Sequence, residues 1–128
     1  MGKFLNKVVL VTGGGTGIGR AISEKFYKEG ARVVIASRNV ENGKAFESEF
    51  PGSVFVATDV RREEDVANLV KYIEENFHQL DVLVNNASTI SNTEGGIQNF
   101  SIDEVKDIFE TNVYSVFFTV KHATNLLI

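Results

Sequence analysis

The 128-residue chain contains no cysteine, no tryptophan and a single proline, and its thirteen Lys and Arg are outnumbered by seventeen Asp and Glu, for a formal charge of −4. Without cysteine there is no disulfide framework, no thiolate metal ligand and no cysteine nucleophile. Without a basic excess there is no cationic stripe for a phosphate backbone, so nucleic acid is not expected as a principal partner. Long apolar runs are missing too. Lys3 and Lys7 precede only Val8-Val9-Leu10-Val11, too short for a signal-peptide core or a membrane span, so the cytoplasm is the expected address and no membrane partner is expected. His78 and His122 stand isolated, without carboxylate or histidine partners at ligand spacing; they read as surface residues, and no metal site is expected. The Asn-x-Ser/Thr triplets at Asn86 and Asn99 read as chance matches in a chain with no secretion signal.

What is present is 43% hydrophobic residues in a regular alternation. A chain of this size buries roughly two thirds of its unfolded surface, enough for one domain over residues 1–128. Four short apolar runs read as strands: Val8-Val9-Leu10-Val11, Arg32-Val33-Val34-Ile35-Ala36, Ser53-Val54-Phe55-Val56-Ala57 and Asp81-Val82-Leu83-Val84. Their apolar residues run continuously, the pattern of strands covered on both faces in a parallel sheet. Helical stripes lie between them: Ile18, Ala21, Ile22 and Phe26, then Val66, Leu69, Val70, Ile73 and Phe77. A further helix over Val40–Glu49 carries Phe46 and Phe50 and stops at Pro51-Gly52. Ser101-Ile102-Asp103-Glu104 has the form of a capping box, in which serine and glutamate each satisfy a backbone donor, and it opens a helical region running to the end of the chain. Within that region Val113, Val116, Phe117 and Val120 recur at helical spacing, which outweighs the β-branched propensity. Residues 61–65 read as a solvated helix start. The expected fold is α/β, a doubly wound parallel sheet, Rossmann-like but incomplete, with residues 85–100 as a long ligand loop at a carboxyl strand end.

The chemistry concentrates after the first strand, in Thr12-Gly13-Gly14-Gly15-Thr16-Gly17-Ile18-Gly19-Arg20. Glycine lets the backbone turn sharply and approach a phosphate, and a helix N-terminus supplies free N–H groups and a positive dipole. A P-loop needs Lys and then Ser or Thr after its last glycine; here Arg20-Ala21 follow Gly19. The Gly-x-Gly-x-x-Gly fingerprint fails as well, because Ile18 stands where the last glycine should be. What fits is Thr-Gly-x-x-x-Gly-x-Gly, met by Thr12, Gly13, Gly17 and Gly19.

With that pattern the chain resembles the short-chain dehydrogenases/reductases, and three further motifs follow in that family's order: Asp59-Val60 after the third strand, Asn85-Asn86-Ala87-Ser88 at the end of the fourth, and Thr111-Asn112-Val113 in the last helical region. The resemblance runs from Lys7 onward. It implies that Asp59 hydrogen-bonds adenine, that Asn86 lines the cofactor site, that Asn85 ties neighbouring strands together, and that Asn112 is a member of the catalytic Asn-Ser-Tyr-Lys set. Ser88 departs from the family's usual glycine. Asp59 has a second reading, as a cap on the helix that begins at Glu63.

The end of the second strand selects the cofactor. An NAD site places an acid about twenty residues beyond the glycines to hold the ribose 2′-hydroxyl, whereas a 2′-phosphate favours arginine. Ala36-Ser37-Arg38-Asn39 carries no acid, and Arg38 can pair with a phosphate while Ser37 donates to it, so NADP is expected rather than NAD. The competing reading leaves Arg38 stacked on adenine or in solvent. The expected cofactor-binding set is Thr12, Gly13, Gly15, Thr16, Gly17, Ile18, Gly19, Ser37, Arg38, Asn39, Asp59, Val60, Asn86 and Ala87.

Of the family's catalytic set, only Asn112 has a counterpart. Tyr-x-x-x-Lys is absent, since Ala31, Asn76 and Phe118 stand four residues after Tyr27, Tyr72 and Tyr114. A tyrosine of pKa about 10 needs a neighbouring cation to exchange protons near neutrality. Three readings follow: the cofactor-binding half of an NADP-dependent oxidoreductase acting on a small molecule, truncated and inactive alone; a non-catalytic nucleotide-binding or interaction module; and an enzyme completed in trans. Without the later strands, the fourth strand is an exposed parallel edge, and self-association or a loosened fold is expected; a monodisperse monomer would favour the module.

Overall fold

β-Branched runs favour extended backbone, and all four expected strands form in the computed structural model, which describes residues 2–127: β1 (Val8–Thr12), β2 (Arg32–Ser37), β3 (Val54–Ala57) and β4 (Val82–Asn85). They lie in the order β3-β2-β1-β4, and every pairing is parallel, with Leu10 level with Val34 on one side and Leu83 on the other. β1, β2 and β4 each run one residue further than expected, while Ser53 and Asp81 fall outside the sheet. Ser53 instead donates its hydroxyl to the Phe50 carbonyl at 2.6 Å, closing the turn at Pro51-Gly52. Asp81 accepts the Val8 N–H at 2.8 Å, which lowers its pKa from the ordinary value.

Five α-helices lie among the described residues: α1 (Gly17–Lys28), α2 (Val40–Glu49), α3 (Glu63–Phe77), α4 (Ile102–Phe109) and α5 (Ser115–Leu127). Alternate strand residues face opposite sides. Val9, Val11, Val33 and Ile35 pack with Ala31, Phe46, Phe50 and the α1 residues Ile22 and Phe26. Val8, Leu10, Val34 and Ala36 pack with Leu69, Val70 and Ile73 of α3 and Ala123 of α5. Helices therefore cover both faces, which makes the fold Rossmann-like and doubly wound. β4 has only β1 as a neighbour among the described residues. Among the described residues no helix is long and apolar enough to cross a membrane.

Several local expectations need correction. Ile18 does not pack on the sheet; it is 76% exposed, and Gly19 and Ser23 occupy the buried side of α1. Ala21 is exposed as well. In the last helical region helix is correct, but its buried stripe is Thr111, Ser115, Thr119 and Ala123, whereas Val113, Val116, Phe117 and Val120 are exposed. Small residues let α5 approach α3 and the sheet closely, and the buried hydroxyls find acceptors, Ser115 in the Thr111 carbonyl and Thr119 in Asn85 Oδ1 with the Val116 carbonyl also in reach. A π-helical turn over Glu110–Tyr114 joins α4 to α5. The last helix is described to Leu127; Ile128, to which the sequence carries it, lies outside the described residues, as does Met1.

The capping box forms by half. Glu104 N–H donates to Ser101 Oγ at 3.1 Å, but the Glu104 carboxylate turns away from the serine's backbone and accepts Ser91 Oγ at 3.0 Å and Thr93 Oγ1 at 2.6 Å. Two hydroxyls on a neighbouring loop outcompete one N–H that water can satisfy. His122 is not isolated either: its Nε2 lies 2.8 Å from Glu63 Oε2, which also takes Lys121 Nζ at 2.6 Å, so a charged pair and a histidine tie α5 to the start of α3. His78 is exposed, as expected, in the left-handed conformation that ends α3.

Candidate functional site

The carboxyl ends of the four parallel strands open onto one cleft of about 490 Å³. Its floor is the glycine turn. Gly13 has φ +66° and Gly17 has φ +54°, left-handed values that an L side chain rarely adopts. Gly19 is excluded from carrying a side chain for a different reason: a Cβ there would sit 2.1 Å from the Gly13 carbonyl oxygen and 2.4 Å from Asn86 Nδ2. α1 starts at this turn with Thr16 as an extended N-cap that makes no side-chain cap and with no acid in the first turn. Its first N–H groups and its positive dipole end are thus offered to an anion.

Thr12 organises the turn from beneath. Its buried hydroxyl accepts the N–H groups of Asn86 and Ala87, both at 3.1 Å, and donates to the Val84 carbonyl at 3.4 Å, fastening the end of β4 to the end of β1. Asn86 Nδ2 donates back to the Gly13 carbonyl at 3.1 Å. Asn85, expected to tie strands together, reaches instead to α5, where its Oδ1 accepts Thr119 Oγ1 at 2.7 Å.

Along the cleft, Gly13, Thr16, Ile18 and Gly19 line the β1 end, Ala36, Ser37, Arg38 and Asn39 the β2 end, Thr58 and Val60 the β3 end, and Asn86, Ala87 and Ser88 the β4 end, with Thr111 closing it. Ser37 Oγ is buried and has no hydrogen-bond partner. A buried hydroxyl without a partner costs about 1–3 kcal/mol, so its presence in a cleft wall argues for a ligand that satisfies it. Arg38 beside it is exposed. Asn39 lines the same stretch, but its side chain is used as the N-cap of α2, accepting Asn42 N–H at 3.0 Å.

Thr12, Gly15, Gly17, Asp59 and Asn112 do not line the cleft. Gly15 is buried near Asn42. Asn112, in the π-helical turn, spends its carboxamide on one residue: Oδ1 accepts Thr89 N–H and Nδ2 donates to the Thr89 carbonyl, both at 2.8 Å, which anchors the loop after β4. Asp59 is gripped by Arg61. Its Oδ1 accepts Arg61 N–H and Nε, both at 3.0 Å, and Oδ2 accepts Nη2 at 2.8 Å. The bonds from Arg61 hold the Asp59 carboxyl below its ordinary pKa, and those carboxylates raise that of Arg61. Arg61 is therefore not part of a solvated helix start, because its Nη1 also donates to Asp107 of α4 at 2.6 Å. Neither does Asp59 cap α3; Arg62 is its N-cap, without a side-chain bond.

Ala36, Thr58, Ser88 and Thr111 line the cleft although the expected binding set omits them. Ala36 and Thr58 lie next to expected site residues, and Ser88 and Thr111 belong to the motifs at the end of β4 and in the last helical region, which pointed at their neighbours Asn86 and Asn112.

The profile of the short chain dehydrogenase family matches residues 7–128. Xanthoxin dehydrogenase of Arabidopsis thaliana is 36% identical, with 98% of this chain and 46% of that protein covered. L-fucose dehydrogenase of Bos taurus is 49% identical over 66% of this chain and 32% of its own length. (+)-Borneol dehydrogenase 2 of Salvia officinalis is 36% identical over 98% of this chain and 46% of its own. The chain spans about half the length of curated relatives matched along nearly all of it.

Proposed function

The chain belongs to the short-chain dehydrogenase family, whose members use a nicotinamide dinucleotide, and from that premise we propose that residues 1–128 are a single domain that holds NADP for an oxidoreductase acting on a small molecule with a carbonyl or hydroxyl group. The observation that carries the choice of NADP is the partnerless buried hydroxyl of Ser37 beside the exposed guanidinium of Arg38, in a segment without an acid. A 2′-phosphate accepts a hydrogen bond from the first and a paired contact from the second; a plain ribose leaves both unsatisfied. NADPH, when bound, supplies the hydride.

The chain's own residues bind and orient. Thr16, Ile18 and Gly19 bring backbone N–H groups to the diphosphate, with Gly13, whose N–H is taken by the Ala36 carbonyl at 2.7 Å, Gly15 and Gly17 shaping the turn and Thr12 holding it to β4. Val60 packs on the adenine and Asp59 accepts from it, while Asn86 and Ala87 wall the nicotinamide side. Asn112 serves by fixing Thr89 and the loop beyond it. No tyrosine of these residues is followed four positions later by lysine, so the 128-residue chain is expected to bind NADP without turning over a substrate. That same observation favours, as a second reading, a nucleotide-binding module without catalysis of its own. In either case the unpaired side of β4 and the exposed apolar side chains of α5 favour self-association.

Titration of the chain with NADPH and NADH, followed by the fluorescence of the reduced nicotinamide, tests the cofactor assignment. NADPH is expected to bind at least about tenfold more tightly, and Arg38→Ala to erase the difference by weakening NADPH alone, as loss of one charged phosphate contact predicts. Equal affinities that Arg38→Ala leaves unchanged would refute it.

A further inference from the structure

The cleft runs across the sheet in strand order, so its chemistry can be assigned end to end. The glycine turn that suits the diphosphate follows β1, and the Ser37-Arg38 pair that suits the ribose phosphate follows β2. Next along the sheet is the β3 end, where Thr58 and Val60 line the cleft with Asp59 between them, and this is the end left for the base. The Asp59 side chain keeps 18% of its surface exposed although Arg61 holds it on three bonds. Oδ1 accepts two of those bonds and Oδ2 one, so the lone pair still free on this carboxylate belongs to Oδ2. The guanidinium meets Asp59 with its Nε and Nη2 edge, and its remaining nitrogen is anchored to Asp107, on a helix that is not otherwise part of the base end.

We propose that Arg61, braced by Asp107 of α4, is a positioning residue that holds the Asp59 carboxylate in one orientation, with its free Oδ2 acceptor kept for the base, and thereby makes the cleft select a 6-amino purine over a 6-oxo purine. This inference rests on the reading of the cleft as a dinucleotide site and goes beyond it. An ionised carboxylate accepts from the amino group of adenine and repels the carbonyl oxygen of hypoxanthine. Without Arg61, the Asp59 carboxylate is free to rotate its acceptor away from the base, so that neither the amino nor the oxo group meets a fixed partner. Arg61 acts through Asp59 and makes no contact with the base itself.

The test compares NADPH with its hypoxanthine analogue, the reduced deamino dinucleotide phosphate, both binding by nicotinamide fluorescence to the whole 128-residue chain and to Arg61→Met and Asp107→Ala. Asp107 is half-exposed, so its variant keeps the proposal testable should Arg61→Met misfold. The unsubstituted chain is expected to favour adenine by about tenfold or more, Arg61→Met to favour it by less than about twofold, and Asp107→Ala to fall between, all with the NADPH-to-NADH ratio retained. A merely structural role would weaken both dinucleotides together and leave the base preference intact, which would overturn the proposal, as would an unsubstituted chain indifferent to the base. If the chain binds neither dinucleotide, the reading of the cleft fails first, and the inference with it.

Discussion

Single residues carry most of the site, and glycines carry most of what the sequence reveals of it. The Thr12, Gly13, Gly17 and Gly19 spacing is readable because only a residue without a side chain satisfies a left-handed φ or a sub-van der Waals gap, so the letters report the geometry directly. The reason at Gly19 is nevertheless different from the one the sequence suggests: the approach that forbids a Cβ is to the protein's own Gly13 carbonyl and Asn86 amide. Gly19→Ala is therefore expected to destabilise the chain by about 1–3 kcal/mol, as overpacking does, in addition to weakening NADP binding. Urea unfolding without ligand separates the two effects; a variant as stable as the original would place the Gly19 effect on ligand approach alone. Other residues were illegible because their roles are relational. Nothing in Asp59 or Arg61 alone announces that a guanidinium will span from one loop to Asp107, 46 positions further on, and nothing in Ser37 announces that its hydroxyl will be buried without a partner.

At the scale of elements, strands and the α2 and α3 helices were plain, since continuous Val and Ile runs and a wide apolar stripe each have one stable outcome, burial against a sheet. The last helix shows where periodicity misleads. Val113, Val116, Phe117 and Val120 form the more hydrophobic stripe, yet Thr111, Ser115, Thr119 and Ala123 are buried, because close approach to α3 and a bond to Asn85 require short side chains. Hydrophobicity scales score such a stripe as weak, so the pattern identifies the helix and assigns the wrong face. The structure predicts opposite outcomes for two substitutions that hydrophobicity would rank the other way: Thr119→Leu loses about 1–3 kcal/mol by overpacking and by stranding Asn85, whereas Phe117→Ser changes stability by about 0.5 kcal/mol or less. Thermal or urea unfolding of the two variants measures this directly, and the reverse order would mean that α5 packs by its apolar stripe.

At the scale of the whole molecule, the described residues form a four-stranded parallel sheet with helices on both faces, and a cleft of about 490 Å³ lies where the strand ends meet. That placement was legible from the alternation of elements alone, because parallel strands joined by helices bring their following loops to one edge. Which substrate the proposed oxidoreductase takes was not legible, since the motifs readable in the sequence all serve the proposed dinucleotide cleft and the loops around it. The central claim is that this shared edge holds the nicotinamide dinucleotide, and an amide NMR titration of the 128-residue chain with NADP tests it most directly. The account predicts saturable shifts confined to residues 13–19, 37–39, 58–60 and 86–88, spread across all four strand ends; the absence of saturable shifts, or shifts clustered on the exposed face of α5, would contradict it.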